Sequence, residues 1–495
     1  MKPTLLAALL LALPLAAPRA QVLDIATDQS PVGLDPHVAT SFATLLVNGP
    51  IYEGLTAIDG KLAVVPALAQ SWTVDDDGKT YRFVLRSGAT FHNGRAVAPA
   101  DVVASIARVR DPKTGSPYAS RFTAITGVEA DGAAAVKVTL SQPSAPLLAQ
   151  LASLAIVPPE AVAELGRHPV GTGPFKFKEW VPDTYIALDR NGGYWDPGLP
   201  KLAGLKFDIV PEAATRQIGI TAGTYRMLPS LDAATATALA SQSRVKLLQT
   251  QDLAYSLVGM NVSKPPFDKP EVREALNTAI DRGQLVQAAY YGRAVPGGPL
   301  SPALTQWALP VSAFPCYTPD PARARKLLTD AGLTPPVKVT LNVLGSLQQV
   351  VDVAQVVQAQ MNKAGFDVQL DVQEQGRFIQ DWRGGNFQGF VSLNGGGPDP
   401  DDYLGRTFGT GGATNVFKYT NPQLDTLLTD ARASGDEAVR KKDYDEAQKV
   451  LACSGPVAHL AYGTLFTAVR ADVQGFEPNA TRSLRGLRST SIGAN

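Results

Sequence analysis

The chain has 495 residues, of which 45% are hydrophobic and 18% charged, and its 45 Lys and Arg residues balance 45 Asp and Glu residues. This composition is typical of a globular protein with two or three domains and excludes a disordered, collagen-like or coiled-coil chain. Because the charges balance and no basic run occurs, nucleic acid is not an expected partner.

Residues 1–20 are predicted to form a secretory signal peptide. Lys2 supplies a positive charge, Leu5 to Leu15 form an apolar stretch too short to span a bilayer, and small residues follow. Cleavage near Ala20 would leave Gln21 as the first residue of the mature chain. No later stretch reaches the ~18 apolar residues that a membrane span requires, so we expect an exported, soluble protein.

The predicted elements alternate between strands and helices, which is typical of a mixed α/β fold. Two strands follow from alternating apolar residues, and four helices follow from helical spacing of apolar residues after a proline. Asp320 and Asn421 precede two of these prolines and are predicted N-caps. In chain order the predictions are strands over 81–85 and 136–140 and helices that begin at Pro99, Pro270, Pro321 and Pro422.

The segment from Val337 to Val372 is predicted to be a βαβ unit. Two apolar strands, VKVTLNVL and FDVQLDV, flank a helix over 350–364 that ends at Gly365. Such a crossover makes the strands parallel, and ligands bind at the carboxyl ends of parallel strands. The rim segments that follow from this prediction are 344–347, 373–378 and 394–403.

Cys316 and Cys453 are the only cysteines. In an oxidising compartment they can pair, which would stabilise the fold by roughly 4–5 kcal/mol in the chain-entropy model, or they can remain two buried thiols. Neither lies in a C-x-x-C motif, so redox catalysis is not indicated.

No catalytic motif is complete. The GKT at 78–80 lacks the earlier glycine of a phosphate-binding loop and is typical of a hairpin turn, and no G-x-S-x-G occurs. The four histidines are far apart in sequence, so neither a metal nor a cofactor is expected. The acidic run from Asp399 to Asp402 is interpreted as helix-capping rather than calcium-binding. A large exported α/β protein without catalytic motifs indicates recognition of a ligand.

A set of longer motifs is more specific. In chain order these motifs are YEGLTAIDGKLAVVPALAQSWTVDDDGKTYRFVLRSGATFHNGRAVAPADVVASI, VGTGPFKFKEW, RNGGYW, LVGMNVSKPPFDKPEVREALNTAIDR, DPARARKLLTDAG and PDPDDYL. Together, from about Leu34 to Phe476, they resemble the family 5 extracellular solute-binding proteins of ABC transporters, the peptide- and nickel-binding type.

The resemblance implies a two-lobed α/β periplasmic binding protein fold (type II, cluster C-like) with an extra subdomain in the first lobe. Lobe 1 would comprise 21–255 and 470–495, with the subdomain at about 61–170, and lobe 2 would comprise 256–469. It also implies a periplasmic, monomeric protein without catalytic activity. Such a protein closes on a peptide or peptide-like solute and delivers it to ABC transporter permease subunits in the inner membrane.

Three positions depart from the peptide-binding members of the family. Those members hold the ligand's α-amino group with an Asp where this chain has Gly396, its carboxylate with an Arg where this chain has Leu344, and pack a Trp where this chain has Gln375. A buried ammonium without a carboxylate is costly, so we hypothesise a ligand bound by neutral hydrogen bonds and apolar contact, such as a blocked peptide. Asp399 or Arg377 are the alternative charge partners.

The resemblance and the predicted rim together give ten candidate ligand-binding residues. Thr40 and Ser41 can instead cap a helix, Phe42 and Tyr118 can be core aromatics, and Arg377 can be a surface charge. The ten candidates are Thr40, Ser41, Phe42, Tyr118, Ser346, Gln375, Arg377, Asn394, Gly396 and Asp399.

Three other functions are weighed against a peptide-binding importer component. The first is a binder of a sugar derivative or another small polar solute in the same transporter class. The second is an extracellular hydrolase with Asp399 and Glu374 as its acid pair. The third is a chemosensory binding protein that uses the same fold.

Overall fold

The computed structural model describes residues 21–75 and 77–493, so the predicted signal peptide at 1–20 lies outside the described residues. The strands are β1 Val22–Thr27, β2 Thr56–Ile58, β3 Val64–Pro66, β4 Ala69–Val74, β5 Thr80–Leu85, β6 Ile125–Asp131, β7 Ala135–Leu140, β8 Phe175–Val181, β9 Tyr185–Arg190, β10 Gly204–Ile209, β11 Met227–Leu231, β12 Val245–Met260, β13 Ala294–Pro296, β14 Val337–Leu344, β15 Phe366–Gln373, β16 Gly389–Asn394, β17 Val457–Arg470, β18 Val473–Gln474 and β19 Ser491–Ile492. The α-helices are α1 Phe42–Asn48, α2 Pro99–Arg110, α3 Leu147–Leu151, α4 Ala213–Ala222, α5 Ala233–Leu239, α6 Pro270–Ala279, α7 Arg282–Tyr290, α8 Pro321–Asp330, α9 Gln348–Lys363, α10 Gln375–Gly384, α11 Leu404–Phe408, α12 Pro422–Ala433 and α13 Glu437–Ser454.

Two long strands join the halves of the molecule. Among the described residues, eleven strands form one sheet in the order β15-β14-β16-β12-β17-β11-β1-β10-β9-β8, with β13 on β17. The sheet is parallel at β14 with its neighbours and at β1 with β10, whereas β12 and β17 pair antiparallel along most of their length. One apolar core packs α9 against β14 and β15, and a separate core packs α1 against β1 and β10, so the prediction of a two-lobed α/β architecture is confirmed.

The pairing of β12 and β17 indicates where the chain passes from one lobe to the other. Their register shifts between Gln251 and Tyr255. On the lobe 1 side of that shift β17 also pairs with β11, and on the other side β12 pairs with β16. We propose that lobe 1 comprises 21–251 and 464–493 and that lobe 2 comprises 255–462. The predicted second crossing at about 470 stays a prediction, and the pairing of residues 466–469 with lobe 1 strand β11 is the reason for the earlier boundary proposed here.

The locally encoded elements form as predicted. Strands β5 and β7 bury alternate side chains, and α2, α6, α8 and α12 each begin at the predicted proline. The side chains of Asp320 and Asn421 accept from backbone N–H groups at 2.9 and 3.1 Å, which confirms both N-caps. The βαβ unit is also confirmed, with β14 and β15 parallel from Val337↔Phe366 to Leu344↔Gln373.

The extra subdomain of lobe 1 has its own core. Strands β4, β5, β7 and β6 form a separate antiparallel sheet, and α2 packs on it through Val102, Ile106 and Val109. Gly78 has a φ of +67° in the β4–β5 turn, and its N–H donates to the carbonyl of Asp75 at 2.8 Å. The GKT segment is therefore a hairpin turn, as predicted.

A disulfide bond joins Cys316 to Cys453 within lobe 2. Cys316 lies in the 3₁₀ helix Pro315–Tyr317 and Cys453 near the end of α13, so the bond joins these two elements through cysteines that are 137 positions apart in sequence. Both cysteines pack in a small apolar cluster with Phe314 and Tyr317. Within residues 21–75 and 77–493, no helix has the length and hydropathy needed to cross a membrane.

Candidate functional site

A cavity of about 670 Å³ lies between the two lobes. Lobe 1 contributes α1 with the turn after it and parts of the subdomain, whereas lobe 2 contributes the loop that follows β16. A C-terminal segment over 480–485 and the crossing segment 252–254 complete the lining. This volume is within the range of about 300–1,000 Å³ that is usual for small-molecule sites.

Helix α1 forms one wall. Its N-cap is Ser41, whose Oγ accepts the N–H of Thr44 at 3.2 Å. Phe42, Leu45 and Gly49 are spaced by three and four residues, so they share the helix face that lines the cavity. This hydrogen bond indicates that Ser41 acts as a helix cap, which was the structural alternative to a ligand-binding role.

A buried carboxylate is among the residues that line the cavity. Glu53 is 5% exposed and accepts hydrogen bonds from the Tyr194 hydroxyl and the Trp195 indole N–H, both at 2.7 Å. Nη2 of Arg485 is 3.8 Å from Glu53 Oε1. Burial raises the pKa of Glu53, because desolvation outweighs the neighbouring arginine and the hydrogen bonds.

The loop after β16 forms the facing wall. Arg406 donates from Nε to the carbonyl of Asp402 at 3.0 Å and from Nη2 to the carbonyl of Gly395. Burial raises the pKa of Asp402 to about 6, and Arg121 from lobe 1 opposes this shift. The field of Arg121 therefore acts on Asp402 across the cleft. Gly396 lies against the ring of Tyr403, since a Cβ at this glycine would be 2.2 Å from that ring.

The C-terminal segment adds a third side. Arg482 forms an ion pair with Asp252 at 2.6 Å, and its guanidinium carbon lies 5.1 Å from the ring centroid of Phe42. The lobes also touch outside the cavity lining, where the N–H of Ala145 in the subdomain donates to the carbonyl of Arg432 at 2.9 Å. The cavity is thus bounded by both lobes and by the segment that returns to lobe 1.

Four of the ten candidate residues line this cavity: Phe42, Tyr118, Asn394 and Gly396. Tyr118 is half-buried, and its hydroxyl donates to the carbonyl of Ala39 at 2.6 Å. Asn394 donates from Nδ2 to the Tyr255 hydroxyl at 3.2 Å. Their roles in ligand binding stay predictions.

The structure gives the other six no place in that lining. Thr40, Ser346 and Gln375 are exposed, and Ser41 is the cap of α1. Arg377 is also exposed and pairs with Asp371 at 2.9 Å. These contacts indicate that Arg377 is a surface charge, which was the alternative to a ligand-binding role.

Asp399 is fully engaged elsewhere. Its carboxylate pairs with Arg440 at 2.7 Å and accepts the N–H of Asp401 at 2.9 Å. Asp399 is therefore a cap for the 3₁₀ turn over 400–402, which matches the capping interpretation of the acidic run. Glu374 caps α10 on the surface, so the acid pair considered for a hydrolase does not face this cavity.

Sequence reasoning missed most of the charged residues of the cleft. Glu53 and its two aromatic donors lie in the motifs YEG and RNGGYW, so these motifs had contained the only available signal. Nothing in the sequence pattern links the C-terminal arginines to the cavity. Asp402 lies in the predicted rim segment 394–403, and the charged residues that were missed are Glu53, Arg121, Asp252, Arg406, Arg482 and Arg485.

Comparisons with known proteins agree with this architecture. The family model of the bacterial extracellular solute-binding proteins, family 5 (middle region), matches residues 63–415. The glutathione-binding protein GsiB of Escherichia coli (strain K12) is 30% identical over 467 residues, which cover 90% of this chain and 89% of that protein.

Solved structures share the fold over nearly the whole chain. HbpA2 from Haemophilus parasuis superposes with a TM-score of 0.87 at 24% identity, covering 96% of this chain and 100% of that one. DppA from Helicobacter pylori, in complex with the peptide STSA, superposes with a TM-score of 0.78 at 26% identity, covering 96% and 98%.

Proposed function

The chain belongs to family 5 of the bacterial extracellular solute-binding proteins, and we propose that its ligand is a small peptide carrying more carboxylate than ammonium groups. Proteins of this family are the solute-binding components of ABC importers, and this chain is such a component. The observation that carries the ligand class is the charge of the cavity. Its charged lining residues are Arg121, Arg406, Arg482 and Arg485 against Glu53, Asp252 and Asp402.

The acids of the cavity do not offset its arginines equally. Asp252 is paired with Arg482, and Glu53, whose pKa is raised by burial, already accepts hydrogen bonds from Tyr194 and Trp195. Arg406 donates only to backbone carbonyls, so its positive charge lacks a bonded carboxylate. Closure of the cleft removes water and strengthens these fields, which favours an anionic ligand. This proposal replaces the hypothesis of a neutral, blocked ligand.

The similar proteins support a small peptide, and one of them supports this charge. The relative from Escherichia coli is named for glutathione, a tripeptide with two carboxylates and one ammonium group. The DppA structure holds the peptide STSA, which supports a small peptide but has equal numbers of carboxylate and ammonium groups. We extend the proposal to delivery of the ligand to an inner-membrane permease from the periplasm. We further propose that the chain binds its ligand without chemical change.

Isothermal titration tests the ligand class. We expect reduced glutathione to bind at least about 10-fold more tightly than trialanine. Glutathione has one more carboxylate than trialanine, and each carboxylate can pair with an arginine of the cavity. Arg406→Gln should lower glutathione affinity, whereas Arg383→Gln, which removes an arginine outside the cavity lining, should leave it unchanged. Equal or tighter binding of a blocked, uncharged tripeptide would show that the proposed ligand class is wrong.

A further inference from the structure

The lobe 1 end of the cavity contains polar side chains that no described residue satisfies. Asn48 is 6% exposed, and within residues 21–75 and 77–493 neither its Nδ2 nor its Oδ1 has a hydrogen-bond partner. The same holds for Nε and Nη2 of Arg485. Both residues line the cavity. Buried polar groups are hydrogen-bonded in native proteins, so these four atoms indicate a missing partner.

The chain brings these two residues together through close backbone packing. Asn48 is the last residue of α1, and Arg485 lies in the 3₁₀ helix Leu484–Ser489. Gly49 lies against Leu484, because a Cβ at Gly49 would be 3.4 Å from the Leu484 nitrogen. The end of α1 and the start of the 3₁₀ helix are therefore neighbours at the cavity wall.

Glu53 orients Arg485 but leaves it without an acceptor. The distance of 3.8 Å between Arg485 Nη2 and Glu53 Oε1 exceeds a hydrogen bond. The oxygens of Glu53 already accept from Tyr194 and Trp195. The Nε and Nη2 donors of Arg485 thus lack an acceptor among the described residues, and both atoms are buried from solvent in this conformation, so a ligand carboxylate can reach them only when the Arg485 side chain turns toward the cavity.

We propose that Arg485 and Asn48 form a subsite for one carboxylate of the ligand, with Arg485 donating from Nε and Nη2 and Asn48 from Nδ2. The side-by-side donors of a guanidinium match the two oxygens of a carboxylate. The neighbouring Glu53 disfavours a doubly charged group such as phosphate. This inference rests on the proposed peptide ligand and names the residues that select one of its carboxylates.

Isothermal titration with glutathione and glutathione dimethyl ester tests the subsite. We expect the wild-type protein to prefer glutathione, and Arg485→Gln to lower glutathione affinity by about 10- to 100-fold and to reduce that preference. Arg485→Lys keeps the positive charge but loses the paired donors. Its affinity for glutathione should therefore lie between those of the wild type and Arg485→Gln. Arg488→Gln is the matched control, because Arg488 lies in the same 3₁₀ helix, pairs with Asp196 at 3.2 Å and does not line the cavity.

Two results separate this inference from the proposed function. If glutathione binds equally well to wild type, Arg485→Gln and Arg485→Lys, the subsite is overturned while the peptide ligand stands. If wild type binds neither peptide, the proposed function is wrong, and a succinate titration followed by the ¹⁵Nε resonance of Arg485 decides the subsite. A saturable shift supports it, and an unchanged resonance overturns it.

Discussion

Replacement of Gly396 by Ala should destabilise lobe 2 markedly. A Cβ at this position would lie 2.2 to 2.3 Å from the ring of Tyr403, a distance that side chains do not tolerate. Tyr403 is 1% exposed, and its hydroxyl donates to the carbonyl of Leu253 at 2.7 Å. The ring can move only by breaking this buried hydrogen bond and its packing against Tyr255.

The expected loss follows from these contacts. Overpacking of a filled core costs about 1–3 kcal/mol, and loss of the Tyr403 hydrogen bond adds about 1 kcal/mol. We therefore expect Gly396→Ala to lower the free energy of unfolding by about 2–4 kcal/mol. The same contact explains why this chain lacks an Asp at Gly396, since the Tyr403 ring occupies the space that an Asp side chain requires.

Urea denaturation followed by tryptophan fluorescence measures this loss. Gly395→Ala is the matched control, because a Cβ there would meet only the Ala254 side chain at 3.9 Å. We expect that control to lie within about 0.5 kcal/mol of wild type. Equal stability of the two variants would refute the steric argument and with it the described position of Tyr403.

Three further predictions concern charge and covalent structure. Burial lowers the pKa of His459 to about 3, so the folded state resists its protonation and stability is lost as pH falls below about 6.5. His459→Phe should reduce the slope of unfolding free energy against pH between 6.5 and 4 by about 1.4 kcal/mol per unit. Burial raises the pKa of Asp402 to about 6, so its favourable contribution is present below pH 3.8 and is lost as pH rises through 6. Asp402→Asn should therefore stabilise the protein by up to about 3 kcal/mol at pH 7.5 and by little at pH 4, as measured by urea denaturation. Replacing Cys316 and Cys453 together by Ala should lower the unfolding free energy by about 4–5 kcal/mol, measured against wild type in the same denaturant series.

Each of these predictions has a contrary outcome. Parallel pH profiles of wild type and His459→Phe would contradict the burial of a neutral imidazole. A gain for Asp402→Asn that is equal at both pH values would mean that a lost contact, and not a lost charge, sets the effect. An unchanged midpoint for the double alanine variant would show that the bond adds no stability.

Local patterns in the sequence predicted part of the secondary structure of this protein. A capping side chain followed by proline specifies a helix start within four residues, as at Asp320 and Asn421. The period of apolar residues likewise separates strand from helix in the βαβ unit, and Gly365, with a φ of +99°, ends its helix. These signals are sufficient to predict helices and strands because the hydrogen bonds and contacts involved join residues that are only a few positions apart in the chain.

The sequence predicted only part of the candidate site. Phe42, Tyr118, Asn394 and Gly396 were placed in the cleft by family resemblance and by the parallel-strand rim, and they do line the cavity. Asp399 was a candidate charge partner, but Arg440, 41 positions later, holds it in a buried pair. No local pattern distinguishes a free carboxylate from one that a distant arginine neutralises.

Only the tertiary structure brings the charged residues of the cavity together. Glu53 meets Tyr194 and Trp195 across more than 140 positions, and Arg482 reaches Asp252 across 230. Residue types and their spacing were sufficient to predict the family and the fold, because many separate motifs along the chain point to the same family and the same fold. The charge of the cleft depends on a few long-range pairs, and the net field at the ligand is what remains after those pairs have formed.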